Sequence, residues 1–228
     1  IISKYKDIPA HEISLKLNKD KTLPHRAIAE QIECFKKAEK KLPSLVKKSL
    51  IFEKLALEQA SSEFTAKYKA TLMNGNTLVD LTGGLGIDDI HFSKSIKKIY
   101  YCEIKQIVAD IFKYNIEKLK IKNTEVINSD SIEFLYGLED NSIDWIYIDP
   151  ARRDENRRTV DLDFCSPNVY DNLELLFTKS SKIMIKVAPA FDISEAIRRF
   201  INLSQVHIIS VDGECKEVVL ILNSEISN

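Results

Sequence analysis

Three of the six glycines in this chain stand at 83, 84 and 86, directly after an apolar run of strand length from Thr77 to Leu81. Glycine gathers this way where backbone must take unusual dihedrals or lie close to a ligand, and one glycine is normally enough for a plain strand-to-helix turn. The segment Asp80-Leu81-Thr82-Gly83-Gly84-Leu85-Gly86 therefore reads as a ligand-holding turn at the carboxyl end of a first strand. That is where an open, doubly wound α/β sheet binds its ligand. The turn is no dinucleotide fingerprint. The residue three after Gly86 is Asp89, and with Asp88 it would repel the pyrophosphate that such a helix start must welcome. No Gly-Lys-Ser/Thr follows, so the turn is not a P-loop either.

The surrounding pattern supplies the sheet. Apolar strand-length segments recur at Thr77 to Leu81, Lys98 to Glu103, Thr124 to Asn128, Ile143 to Asp149 and Ile183 to Val187. Helix-like stretches near 87–96, 105–120, 131–138, 168–180 and 192–203 separate or follow them. Near-continuous apolar strands alternating with helices imply a parallel sheet covered on both faces. Val206 to Val211 and Glu217 to Leu222 depart from that alternation, because only Asp212-Gly213-Glu214-Cys215-Lys216 joins them. A link that short cannot be a parallel crossover, so the two must form an antiparallel hairpin. The expected fold is an α/β, doubly wound, Rossmann-like sheet of seven strands ending in that hairpin, the strand grammar of class I methyltransferases.

Residues 1–73 read differently. Ile28, Ile32, Phe35 and Ala38, and then Leu50, Phe52, Leu55, Leu57 and Ala60, keep helical spacing, and no glycine precedes Gly75. An N-terminal helical region over 1–73 and a catalytic domain over 74–228 are expected, divided at Asn74-Gly75-Asn76, which reads as a turn.

Acidic residues surround the glycine loop. Asp80 precedes it, Asp88 follows it, Glu103 ends the second strand, and Asp130-Ser131 follows the third. Carboxylates so placed suit a ligand that is cationic and phosphate-free, such as the sulfonium and α-amino groups of S-adenosylmethionine (SAM). Thr82, Gly83, Gly84 and Gly86 would line it. Glu103 can accept both ribose hydroxyls. Asp130 can take the adenine amine, cap the next helix in a box with Glu133, or do both.

Asp149-Pro150-Ala151-Arg152-Arg153 closes the fourth strand, the neighbour of the first across the topological switch point. Asp149 should thus face the cofactor's methyl group. Proline turns the chain abruptly out of the sheet and freezes that geometry. Methyl transfer to a good nucleophile needs positioning more than proton transfer, so Asp149 and Pro150 are the expected catalytic pair. Arg152 and Arg153 offer bidentate donors to a substrate phosphate or carboxylate, or else pair with Asp154, Glu155, Asp161 or Asp163. Lys186, ending the fifth strand on the same rim, is a further expected substrate contact, unless it is an ordinary lysine that snorkels to solvent. The stretch from Asp154 to Pro167 has no strand signal and reads as a loop beside the site.

Bulk properties limit the partners. A net charge of −1 makes no global case for nucleic acid, although lysines crowd 36–48, where a solvated helix face is the plain reading. No apolar run is long enough to cross a bilayer, and Ile1-Ile2-Ser3-Lys4-Tyr5-Lys6 opens no signal peptide. Cys34, Cys102, Cys165 and Cys215 show no Cys-x-x-Cys pair, which implies no metal site and a cytoplasmic protein with reduced thiols.

Several strings together resemble one bacterial family, the class I SAM-dependent methyltransferases whose longer members carry ferredoxin-like and THUMP-like domains after the catalytic domain. They are Leu57-Glu58-Gln59-Ala60-Ser61-Ser62-Glu63, Lys67-Tyr68-Lys69-Ala70, Asp80 to Asp88, Ile148 to Asp154, Lys186-Val187-Ala188-Pro189 and Glu214-Cys215-Lys216-Glu217. Thr82 stands where the general pattern has its first glycine. The resemblance implies SAM as cofactor, RNA as substrate, and a contact from Gln59 to the methionine end of SAM. Its Asp-Pro-Ala-Arg string is also similar to that of uridine-C5 RNA methyltransferases. Those use a cysteine after the fifth strand, where this chain has Ala188-Pro189-Ala190. Transfer to a nitrogen of an RNA base is the expectation; a small-molecule or protein substrate, or SAM binding without turnover, are the alternatives.

Overall fold

The computed structural model of the protein describes residues Ile8, Glu12, 24–152 and 161–225. The helical expectation over most of the first 23 residues lies outside them, as do Arg153, Asp154 and Glu155. Among the described residues, three α-helices lead into the sheet: α1 (His25–Lys41), α2 (Lys54–Gln59) and α3 (Glu63–Leu72). The alternating part follows as β1 (Gly75–Asp80), α4 (Ile87–Phe92), β2 (Ile96–Cys102), α5 (Gln106–Leu119), β3 (Thr124–Ile127), α6 (Ser131–Tyr136) and β4 (Trp145–Ile148). Two short strands, β5 (Ala151–Arg152) and β6 (Cys165–Ser166), pair with each other. Then come α7 (Val169–Lys179), β7 (Lys182–Val187), α8 (Ile193–Arg199), β8 (Leu203–Val211) and β9 (Glu214–Asn223).

The seven-stranded sheet has the order β3-β2-β1-β4-β7-β9-β8, parallel from β3 to β7 and antiparallel across β9 and β8. This is the doubly wound architecture expected, with its reversal of order between β1 and β4. Their cores, Leu78-Val79-Asp80 and Ile146-Tyr147-Ile148, are almost wholly buried, as strands packed on both faces must be. The helices start where short polar side chains meet free backbone N–H groups. Ser62, Asp130, Asn168 and Asp192 each accept such a bond at the head of α3, α6, α7 and α8.

Three local readings change. Asn74-Gly75-Asn76 is not a turn: Gly75 opens β1 opposite Ile96, and the Asp144 carboxylate takes the N–H groups of Asn76 and Thr77 at 2.5 and 2.9 Å. The hairpin link is only Asp212-Gly213, both with left-handed φ (54° and 79°), the two-residue turn whose twist suits flanking strands. Glu214, Cys215 and Lys216 already belong to β9; their polarity masks the strand. The stretch read as a loop from Asp154 contains β6, too short to leave a periodic trace.

The leading helices share a core with the sheet's first half. Cys34, Ala38, Leu42, Leu50 and Phe52 pack in one cluster with Leu85, Ile87, Tyr101, Phe112 and Ile116. Asn115 on α5 ties them further, holding both the N–H and the C=O of Ile51 at 2.9 and 2.8 Å. The four cysteines form no disulfide with one another. No helix among the described residues is long and apolar enough to cross a membrane. We expect Phe52→Ala to cost about 3–5 kcal/mol. Urea unfolding should show this as a lower midpoint in a single transition for sheet and helices together.

Candidate active site

A cleft of about 990 Å³ opens at the carboxyl ends of β1, β2, β4 and β7. Its walls include the whole loop from Asp80 to Gly86 with Gln59, Asp88, Glu103, Asp130 and Ser131, and, on the other side, Asp149, Pro150 and Lys186. The structure thus brings together every site residue named from the sequence except the two arginines. Arg152 is placed by its strand pairing with Cys165, and Arg153 lies outside the described residues. Asp163, offered as a partner for them, is instead clasped by Arg199 at 2.5 and 3.0 Å.

Packing explains two of the loop glycines. A Cβ at Gly83 would stand 2.2 Å from the Tyr101 ring, and one at Gly86 would stand 2.0 Å from Phe112, where φ is also left-handed at 66°. Those aromatic rings stack on each other at 4.0 Å and form the floor under the loop. The Tyr101 hydroxyl donates to the Gly84 carbonyl. The Glu103 carboxylate accepts from Gly84 N–H at 3.0 Å and Lys105 N–H at 2.7 Å, which aims it along the loop.

Thr82 has a use that its place in the glycine series hides. Its N–H and hydroxyl both donate to Asp80 Oδ1, at 2.7 and 3.2 Å, and its Oγ1 accepts the backbone N–H of Asp149 at 2.6 Å. The hydroxyl therefore joins the end of β1 to the end of β4. Asp149 is held from the far side by Lys186, whose Nζ lies 2.5 Å from Oδ2. Burial favours a neutral Lys186 amine, yet the charges of Asp149, Asp88 and Glu217 outweigh it and hold the ammonium form above the usual lysine range.

Comparison with solved structures bears on this arrangement. A protein from Porphyromonas gingivalis W83, assigned as a methyltransferase, matches 99% of this chain with a TM-score of 0.87 at 28% identity. This chain spans 57% of that protein's length. M. capricolum TrmK, solved with the cofactor product S-adenosyl-homocysteine, matches 72% of this chain and 69% of its own (TM-score 0.56, 19% identity). An rRNA methylase from Streptococcus thermophilus matches 70% of this chain and 93% of its own (TM-score 0.50, 13% identity). This chain has the class I SAM-dependent methyltransferase fold. No protein-family profile matches the sequence, and neither does any curated protein.

Within this methyltransferase fold two acidic residues prove to be internally engaged. Asp88 accepts hydrogen bonds from Ser61 and Tyr147, both at 2.8 Å, and from Lys69 at 3.0 Å. Burial opposes its charge, but Lys69 and Lys186 prevail and keep its carboxyl below the ordinary range. Asp130 caps α6 through Oδ1, accepting from Ile132 and Glu133 N–H at 2.8 and 3.2 Å. Capping therefore claims Oδ1, and the carboxyl also lines the cleft.

Sequence reading gave no role to Lys69, Tyr147, Glu217, Ile104 or Ile132, and saw in Asp89 only repulsion of a pyrophosphate. Ile104 and Ile132 flank Glu103 and Asp130 in the cleft wall and give it an apolar face. One signal for Lys69 was present: Ala66 and Met73, three before and four after it, are both buried, so the lysine sits on the inward face of α3.

Asp89 is buried, and neither of its oxygens meets an N–H or O–H donor. It faces Asp80, a contact that becomes a hydrogen bond only when one of the two carries a proton. Burial first, then the neighbouring carboxylates, push Asp80 up to about 7, and Asp89 is raised further above its usual range. The folded chain thus binds this proton more tightly than the unfolded chain. Stability is full below the ordinary carboxylate range and declines as pH rises through about 7. Asp89→Asn, which mimics the protonated acid, is expected to be more stable than the parent at pH 8 by on the order of 2 kcal/mol. The gain should vanish toward pH 4 in urea titrations run at both pH values.

Proposed function

We propose that this chain binds SAM in the cleft and transfers its methyl group to a nitrogen of an RNA base. The observation that carries the reading is the opposition, across one cleft, of the Asp80–Gly86 loop and Asp149, held at its backbone N–H by Thr82 and at its carboxylate by Lys186. The donor set fits the cofactor. Glu103 presents a carboxylate where a ribose diol would lie, and apolar Ile104 and Ile132 border Asp130 and Ser131 where an adenine would lie. The cleft wall around Asp80 and Asp88 carries carboxylates and no free cation of its own among the described residues, which suits a cationic ligand better than a phosphate. Gln59, at the end of α2, lines the cleft and is assigned the methionine end.

SAM supplies a methyl group already activated on sulfonium. What this chain contributes is placement. Asp149, with its N–H held by Thr82 and its carboxylate held by Lys186, accepts a hydrogen bond from an amine or ring N–H and sets the nucleophile in line. Pro150 keeps the following chain out of that line. The nitrogen that takes the methyl group sheds its proton to water, since the Asp149 carboxylate is already ion-paired with Lys186. Arg152 and Arg153, next along the chain, are assigned to substrate phosphates. RNA is favoured by the sequence strings shared with THUMP-bearing methyltransferases and by the fold shared with an rRNA methylase. The net charge of −1 and a cleft sized for one small ligand favour a small-molecule acceptor as the second reading.

Calorimetry with SAM tests the cofactor half. Binding is expected, with Glu103→Ala weakening it by about tenfold or more, and absence of binding at millimolar SAM would remove the proposal. Tritiated-methyl transfer to separate pools of RNA, protein and metabolites tests the acceptor. Label confined to protein or metabolites would overturn the RNA assignment. Asp149→Ala is expected to abolish transfer while sparing SAM binding, and retained transfer would show that Asp149 does not position the acceptor.

A further inference from the structure

The six strings scattered along the chain each deliver one side chain to a single buried charge cluster. They contribute Ser61, Lys69, Asp88, Asp149, Lys186 and Glu217, and Tyr147 of β4 completes it. At its centre, Lys69 is 0% exposed. Its Nζ lies 2.9 Å from Asp88 Oδ1 and 2.9 Å from Glu217 Oε1, and 2.7 Å from Ser61 Oγ. Lys186 lies in the field of the same two carboxylates, since Asp88 and Glu217 both favour its charged form, yet its hydrogen bond goes to Asp149. Two ammonium groups thus serve three carboxylates. The nearby Lys41 does not compete, because its Nζ is committed to the carbonyls of Leu57 and Glu58 at 2.8 Å each.

An ammonium buried this fully gives weak return in stability, since an apolar side chain of the same size often does as well. Its distribution of partners is therefore the informative property. We propose that Lys69 is a positioning residue. By occupying Asp88 and Glu217 it directs the Lys186 ammonium onto Asp149 and so fixes the acceptor side of the cleft. Lys186 is then the counter-ion that orients Asp149, not a contact for substrate phosphate. The pairing follows from the geometry alone; its consequence for transfer rests on the methyltransferase reading above.

The test uses the full chain labelled with ¹⁵N-lysine, in which a paired, enclosed ammonium gives a proton–nitrogen correlation that exposed lysines lose to exchange. The Lys186 signal is identified by its disappearance in Lys186→Arg. In Lys69→Met the freed carboxylates should draw Lys186 from Asp149, moving or broadening its signal. Methyl transfer to bulk RNA should fall by about tenfold or more, while SAM affinity by calorimetry stays within about threefold. The double variant Lys69→Met/Glu217→Gln removes one competing carboxylate and should recover part of both signal and rate. An unmoved Lys186 signal in Lys69→Met overturns the proposal even if the protein methylates RNA. Failure of the parent to bind SAM overturns the methyltransferase reading and leaves the pairing to be judged on the ammonium signal. If Lys69→Met does not fold, Glu217→Gln alone decides: relieved of a competitor, the Lys186 signal should sharpen, and an unchanged signal refutes the idea.

Discussion

The burial of the Lys69 ammonium is the constraint on which the other parts of this structure depend. Removing an ammonium from water costs several kcal/mol unless opposing charges and hydrogen-bond acceptors replace the lost hydration. The replacements come from separate elements: Asp88 from the head of α4, Glu217 from β9, Tyr147 from β4 and Ser61 from the segment between α2 and α3. None is adjacent in sequence to any other. The leading helices, the first β-α turn, the fourth strand and the closing hairpin must therefore all be in place before the charge is satisfied. α3 accordingly supports the site from behind, through Lys69, as well as covering the sheet.

The same reasoning explains how the sheet presents its chemistry. In an open parallel sheet the carboxyl ends of β1 and β4 are neighbours at the reversal of strand order, but neighbouring strands alone do not align two loops to a fraction of an ångström. Here the Thr82 hydroxyl makes that alignment, donating to Asp80 and accepting from the Asp149 amide. A glycine at 82, usual in methyltransferases of this fold, offers no hydroxyl and would leave the two strand ends joined only through the ladder.

The strand order, the hairpin and the cleft were legible because they rest on periodic burial and on chain ends with special chemistry. Ile146-Tyr147-Ile148 reads as a strand because each of its residues must be apolar, and Asp149-Pro150 reads as its end because proline cannot continue the ladder. What the sequence withheld was pairing. Lys69 and Lys186 carry the same charge and both lie in recognisable strings, yet one is enclosed and the other faces the cleft; only the three-dimensional arrangement of carboxylates separates them. Asp88 was read as a ligand contact from its place after the loop, and its carboxylate proves to be surrounded by protein donors. The hairpin link reads as longer than it is because Glu214-Cys215-Lys216 is polar, yet Glu214 and Cys215 pair with Val211 and Ser210 at the start of β9.

The distribution of charge also narrows what the cleft can accommodate near the reacting position. On the acceptor side, Asp149 and Lys186 neutralise each other at 2.5 Å and present little net field to a ligand. On the loop side, Asp88 is neutralised by Lys69, and Asp80 and Asp89 share a proton, so the remaining negative charge beside the loop is modest and depends on pH. A cation placed there would favour the ionised form of the pair and lower its hold on the proton, which would couple binding to pH through groups that need not touch the ligand. A phosphate group meets the opposite response, since its own charge would hold the proton in place and leave it facing buried carboxylates. The wall is thus selective by sign before any specific contact is made. Such selectivity would set a loop rich in glycine, and otherwise permissive, apart from a nucleotide phosphate site.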